Sequence, residues 1–332
     1  MKHVIPILLF ASLAACRPEK DEVLQIPDAP YVLELPAGFP MPAIPGENQL
    51  TVSRVELGRR LFFEPRLSRG AAQSCASCHF PDRAFSDTVS RSVGVHGNMG
   101  LRNSPPLMNL AWHDAFFRDG GIPSLELQVL APIHDPLEMD FNINTAAEIL
   151  RSEEPFASLS TKAYGRQLDG YVITRAIASF MRTLISGSSR VDRFLQGETS
   201  ALSEAEQRGW AIFSGPGANC TACHGGFDFS DHGYHNVGQY LDYADPGRQR
   251  ITLLESDRGK FKTPTLRNVA LTAPYLHDGA MGTLEEVVDH FASGGSPHPN
   301  RSPLLQPFVL NGTDKADLVA FLKALTDEQL DR

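Results

Sequence analysis

The chain has 332 residues, 42% of them hydrophobic and 21% charged, a core-forming globular composition with the length of two ordinary domains. Its formal net charge of −9 argues against nucleic acid as a partner, because a phosphate backbone selects cationic surfaces, and it is compatible with docking a basic partner.

Met1-Lys2-His3 is a short basic start, and Val4 to Leu13 is an apolar run too short to span a bilayer as a mature helix. Leu13-Ala14-Ala15-Cys16 reads as a bacterial lipobox, making 1–15 a lipoprotein signal peptide and Cys16 the lipidated first residue of the mature chain. An ordinary signal peptide cleaved nearby would export the chain equally. The expected place is the periplasmic face of a bacterial membrane, the outer one by the analogy of Arg17 after the cysteine; without the lipid it is the soluble periplasm. Residues 16–46 are rich in proline and charge and read as a tether.

The body begins near Thr51. Val52, Val55, Leu61 and Phe62 recur at near-helical spacing and stop before Pro65. Cys75-Ala76-Ser77-Cys78-His79 follows. Two thiols three positions apart reach the two vinyl groups of one porphyrin, and the adjacent histidine places an imidazole nitrogen under the iron. Thr145-Ala146-Ala147-Glu148 reads as a capping box opening a short helix, and Val172, Ile173, Ala176, Ile177, Phe180, Met181 and Leu184 form an amphipathic stripe. The seam between two halves is expected in Ser186-Gly187-Ser188-Ser189. Ser203-Glu204-Ala205-Glu206 is a second capping box, before Cys220-Thr221-Ala222-Cys223-His224, the second copy of the haem motif. Thr283-Leu284-Glu285-Glu286 is a third, and Leu318, Val319, Phe321, Leu322 and Leu325 mark the last helix.

A thioredoxin-like pair needs no histidine and would not usually occur twice; a zinc site assembled from both motifs is the other alternative. With Cys16 given to lipid and Cys75, Cys78, Cys220 and Cys223 to two covalent haems c, no cysteine remains for a disulfide. The order helix, haem motif, long loop, helix occurs twice. The expectation is a mainly α fold, two cytochrome c-like haem domains in tandem with long loops and little strand. The first spans 47–187 and the second 188–332.

From Leu50 to Thr326 the chain resembles the bacterial di-haem cytochrome c peroxidases, including their MauG branch. The resemblance rests on Leu57-Gly58-Arg59-Arg60-Leu61-Phe62-Phe63, Arg66-Leu67-Ser68, Arg102-Asn103-Ser104-Pro105, Asp119-Gly120-Gly121 and Pro136-Leu137-Glu138-Met139. It continues through Phe261-Lys262-Thr263-Pro264-Thr265-Leu266-Arg267-Asn268 and Thr272-Ala273-Pro274-Tyr275-Leu276-His277-Asp278-Gly279. It implies His79 and His224 as axial iron ligands, the first haem as the place where peroxide reacts and the second as the one that passes electrons in, and Glu138 as a distal carboxylate that moves a proton between the two oxygens of peroxide. It implies Gln128 as a hydrogen-bonding neighbour in the same pocket. It further implies a calcium ion between the haems, held by Asn103 and the carbonyls of Thr272 and Pro274, all oxygen donors as a hard cation requires. His96 falls one position from a removable histidine ligand of some peroxidases and reads otherwise as a surface loop residue. Homodimers are common in the family.

Two positions depart from the pattern. Arg118 stands where the family often has Trp between the haems, which puts electron hopping there in doubt; Trp112 and Trp210 could substitute, though both read as core. Phe291 stands where the peroxidases usually have Met and the MauG branch Tyr, each a sixth ligand of the second haem. The expected site is open, with Met281 next and His290 last, since successive helical side chains diverge by about 100°. The implied activity is reduction of hydrogen peroxide with electrons from a small cytochrome c or cupredoxin. The alternatives are MauG-like oxidation of Trp or Tyr on a partner protein and a di-haem electron carrier.

Overall fold

The computed structural model describes residues 28–328; the signal peptide, Cys16 and the first part of the tether lie outside them. The first half contains α1 (Val52–Phe62), α2 (Leu125–His134), α3 (Ile143–Leu150), α4 (Phe156–Tyr164) and α5 (Gly170–Met181). The second contains α6 (Arg190–Leu195), α7 (Glu204–Ser214), α8 (Gln249–Thr252), α9 (Leu284–Ser293) and α10 (Gly312–Ala324). The one sheet among the described residues is an antiparallel pair, β1 (Tyr234–His235) with β2 (Phe261–Lys262). The fold is mainly α, as expected. No helix of the described residues is long and apolar enough to cross a membrane.

Local chemistry accounts for the helix ends. Thr51 caps α1 by accepting from the Arg54 N–H, and α1 turns Val55, Leu57, Leu61 and Phe62 inward. Reciprocal capping boxes open α7 at Ser203 and Glu206, and α9 at Thr283 and Glu286, where the sequence puts them. The box expected at Thr145 is displaced: the Asn142 side chain accepts from the N–H groups of Asn144 and Thr145, so the helix has already begun there. Likewise α10 starts at an Asn311–Asp314 box, ahead of the apolar run at Leu318.

Each half is built on a crossing of two helices at a glycine. A Cβ on Gly58 of α1 would lie 1.8 Å from the Ala176 carbonyl oxygen of α5 and 2.9 Å from the Phe180 Cβ. On Gly209 of α7 it would lie 2.0 Å from the Asp317 carbonyl oxygen of α10 and 2.7 Å from the Phe321 Cβ. The helices therefore touch backbone to backbone, and two separate apolar cores surround the crossings, one drawn from residues 57–181 and the other from 191–325.

The junction between the cores is tied down. Asp327 accepts from the Ser186 hydroxyl and from the N–H groups of Gly187 and Ser188, while Asn109 Nδ2 donates to the Ser186 carbonyl and Asn268 Nδ2 to the Ser186 hydroxyl. Nor is 28–46 a loose tether. It lies on the body as a strap: the Phe39 ring meets Trp112 of the first half and Phe227 of the second, and Trp112 Nε1 donates to the Pro40 carbonyl at 2.8 Å. Prolines prevent helix there, but they leave aromatic burial open.

Gly58→Ala and Gly209→Ala should each lower stability in denaturant unfolding by about 1–3 kcal/mol, the usual cost of overpacking. Gly46→Ala, whose Cβ would meet nothing within 4 Å, should not.

Candidate functional site

Each Cys-x-x-Cys-His motif is a single tight turn. The N–H groups of Cys78 and His79 both donate to the Cys75 carbonyl, and those of Cys223 and His224 both donate to that of Cys220. All four cysteines are free of disulfides. His79 Nδ1 donates to the Phe85 carbonyl at 2.7 Å, and His224 Nδ1 to the Phe229 carbonyl at 3.0 Å. A carbonyl only accepts, so both imidazoles carry their hydrogen on Nδ1 and present a bare Nε2, the form a metal needs. Burial pushes both histidines below the ordinary value, which keeps them neutral. Phe85 and Phe229 both sit in the left-handed region, at φ 57° and 48°, and both begin a Phe-Ser-Asp triplet. Among the described residues, no metal-ligand grouping combines cysteines of the two motifs, which removes the support for a shared zinc site.

Cys220, Cys223 and His224 border an apolar cavity of about 240 Å³, walled by Leu266, Val288, Phe291 and Leu318 among others. Two thiols, a free Nε2 and a greasy wall fit a covalently held porphyrin. Phe291 borders the cavity from α9, and a phenyl ring has no lone pair for a metal. His290, the next residue back, turns away, its Nε2 donating to the Val237 carbonyl at 2.9 Å. Met281 is not on the wall; its carbonyl accepts from the Tyr275 N–H in a short bridge. Other polar groups on the wall are engaged: the Tyr275 hydroxyl donates to the Val269 carbonyl, and His235 Nε2 pairs with Asp231 at 2.8 Å. His277 stacks on Phe261 with ring centroids 3.8 Å apart.

At the first motif, Glu138 lies close enough to raise the Cys75 and Cys78 thiols, which burial already pushes up to about 12 and 11. Glu138 is an exposed residue, and its carboxyl is raised to about 7 by the desolvating protein around it first and by Asp135 second. Its carbonyl accepts from the Val95 N–H at 2.8 Å. Gln128, on α2, borders a smaller cavity of about 70 Å³ with Pro105, Leu107, Phe117 and Arg118; Glu138 is not on that wall. His96 is an exposed loop residue paired with Asp140 at 2.7 Å, and Arg69 donates to the same carboxylate.

Asn103, Thr272 and Pro274 all border the large cavity, so the fold gathers the three residues expected around calcium. Arg118 is there as well. Its Nε donates to the Asn103 carbonyl at 3.0 Å and another guanidinium nitrogen to Asn103 Oδ1. Both Asn103 oxygens thus face a cation already present, and the donor set as it stands does not fit calcium. Burial is the main cause that lowers Arg118 to about 10, still charged at neutral pH. Beside it, Arg102 bridges Asp119 of its own half to Asp245 of the other, at 2.7 and 2.6 Å, and Arg250 joins Asp119 from across.

A repeat that sequence reading passed over organises this region. Residues 104–122 and 263–281 share a Pro, then a left-handed Asn (Asn109, Asn268), then a bridged turn that encloses Asp-Gly. The paired left-handed asparagines and the repeated Phe-Ser-Asp were the signals available for it.

Fold and geometry together define a tandem c-type cytochrome, with a Cys-x-x-Cys-His attachment turn in each half and an apolar cavity at the second. Residues 52–200 match the family model of the di-haem cytochrome c peroxidases. The methylamine utilization protein MauG of Methylorubrum extorquens is 40% identical over 289 residues, 86% of this chain and 81% of the relative. The cytochrome c551 peroxidase of Nitrosomonas europaea is 35% identical over 297 residues, covering 88% and 84%. A crystal structure of a MauG-like protein associated with microbial copper homeostasis superposes with a TM-score of 0.86 at 35% identity, covering 90% of this chain and 97% of the other. The chain belongs to the di-haem cytochrome c peroxidase and MauG family, whose members carry two covalently bound haems c.

Phe291→Met should place a thioether at the second centre, converting that haem to low spin with a higher reduction potential. EPR and a redox titration of the oxidised holoprotein read both; if the wild type is already His/Met low-spin, the reading of Phe291 fails.

Proposed function

We propose that this protein reduces hydrogen peroxide to water at the haem of Cys75, Cys78 and His79, with electrons entering through the haem of Cys220, Cys223 and His224. The observation that carries the reading is Glu138, a carboxyl beside the first motif with a pKa raised to about 7. When bound, the first haem supplies a coordination position for peroxide and the electrons that cleave its O–O bond. Glu138 accepts the proton of the near oxygen and returns it to the far oxygen, which leaves as water. Two electrons and two further protons complete two waters. Gln128, on the wall of the neighbouring cavity, is the second group the resemblance assigns to this haem, and the Nδ1–carbonyl bonds fix the ring orientation of His79 and His224. The electrons come from a small periplasmic cytochrome c or cupredoxin, and the protein is exported and held at the membrane through lipid on Cys16.

A second reading has the electrons drawn from Trp or Tyr side chains of a partner protein. The 40% identity to a MauG protein and the lack of a Met at position 291 favour it. Steady-state peroxide turnover with a reduced small cytochrome separates the two: turnover supports the first, and its absence the second.

Glu138→Gln should slow peroxide reduction by roughly 10²–10⁴-fold, with both haems retained. The first proton transfer needs the carboxylate, so wild-type rate at low peroxide should fall as pH drops through about 7. In Glu138→Gln that limb should vanish. An identical profile in wild type and variant removes Glu138 from the chemistry.

Arg118 takes the place of the calcium ion in this reading, its guanidinium supplying positive charge to Asn103. Dialysis against a calcium chelator should leave turnover and both haem spectra unchanged. A loss restored by added calcium would refute the substitution.

A further inference from the structure

We propose that His113, Asp228 and His232 bind one divalent transition-metal ion of the zinc class at the seam between the two halves. His113 comes from the first half, while Asp228 and His232 come from the loop after the second haem motif. One ligand atom from each lies within 4.8 Å of the others. His232 Nε2 is 2.9 Å from Asp228 Oδ2, and His113 Nε2 is 3.6 Å from the same oxygen. Ligands about 2.0–2.1 Å from a tetrahedral zinc stand about 3.3 Å apart, so these separations straddle the required edge. Two imidazoles and a carboxylate form a mixed nitrogen and oxygen set that selects borderline first-row ions over calcium or magnesium.

A purely hydrogen-bonded trio accounts less well for the geometry. His113 Nε2 is enclosed and makes no hydrogen bond, since 3.6 Å exceeds hydrogen-bonding distance. A buried polar atom aimed at a carboxylate it does not reach is what a site for an intervening ion would present. The carboxylate is oriented from behind, with Asn109 Nδ2 donating to Asp228 Oδ1 at 2.8 Å and leaving Oδ2 to the two imidazoles. Burial lowers His113 to about 4, and against its own burial Asp228 is held at about 2 by the His113, His232 and Asn109 side chains, so at neutral pH the imidazole is uncharged and the carboxylate ionised.

Lys262 opposes the ion. Its Nζ donates to His113 Nδ1 at 3.4 Å, so without an ion the neutral ring carries its hydrogen on Nε2, and metal binding has to shift that hydrogen to Nδ1 against the ammonium. Removing that ammonium should tighten the site. The ion would also be felt by the second haem. Asp228 directly precedes Phe229, whose carbonyl holds His224 Nδ1, so added positive charge there favours the reduced iron and raises its potential.

The test is zinc stoichiometry of the mature holoprotein, by elemental analysis after equilibrium dialysis against zinc alone. Wild type should hold one zinc that His113→Asn and His232→Asn lose. His96→Gln and His235→Gln, which alter other His–Asp pairs, should keep it. Lys262→Met should bind zinc more tightly than wild type, and zinc uptake should shift the second haem potential upward in wild type but not in His113→Asn. Where an asparagine variant fails to mature with both haems, wild type and Lys262→Met still decide. Absence of zinc in wild type, equal uptake in His113→Asn, or no tightening in Lys262→Met overturns the proposal.

Discussion

Backbone contact between two helices in each half is the constraint on which the rest of the molecule depends. At Gly58 and at Gly209 no side chain separates the crossing helices, and the carbonyls of Ala176 and Asp317 occupy the space where a Cβ would be. Close crossing puts Phe180 and Phe321 at the same position on their respective partners. Past the ends of α5 and α10, the carbonyls of Leu184 and Leu325 accept from the N–H groups of Asn109 and Asn268, both left-handed. Each asparagine begins the bridged turn that leads into α2 or α9, so the helix carrying Gln128 and the helix carrying Phe291 are both positioned from a glycine crossing.

Electrostatics then distinguish halves that share a plan. The first gathers a carboxyl with a raised pKa beside its thiols, and the second an apolar wall closed by Phe291. Between them lies a strongly charged junction, in which Arg102 and Arg250 pair with Asp119 and Asp245 while Arg118 is bonded to Asn103. Arg118 gives this junction a fixed cation where an aromatic residue would give a polarizable, oxidisable one. Electron movement between the halves has to proceed without an aromatic side chain at that position.

The haem motifs, two of the capping boxes and the apolar stripe of α5 were legible because each is a local pattern, complete within a few turns of chain. Phe291 was legible for a related reason: its helical phase relative to His290 follows from about 3.6 residues per turn, and the opposite facing of the two agrees with it. The expected cap at Thr145 failed on equally local grounds, because Asn142 three residues earlier is itself a good cap. The Arg118–Asn103 pairing, the buried His113–Asp228–His232 cluster and the docking of Phe39 were not legible. Each joins residues far apart in the chain, and none leaves a period or motif in the sequence. The calcium expectation shows the cost: three donors matched by likeness alone said nothing of the guanidinium that faces one of them.

The strap has a mechanical meaning. With Phe39 wedged against Trp112 and Phe227, and Trp112 bonded to Pro40, the two halves cannot hinge apart without unstacking three rings and exposing them to water. Electron tunnelling decays steeply with separation, so a hinge at this seam would modulate transfer with every thermal fluctuation. A proline-stiffened segment laid across the seam resists such hinging.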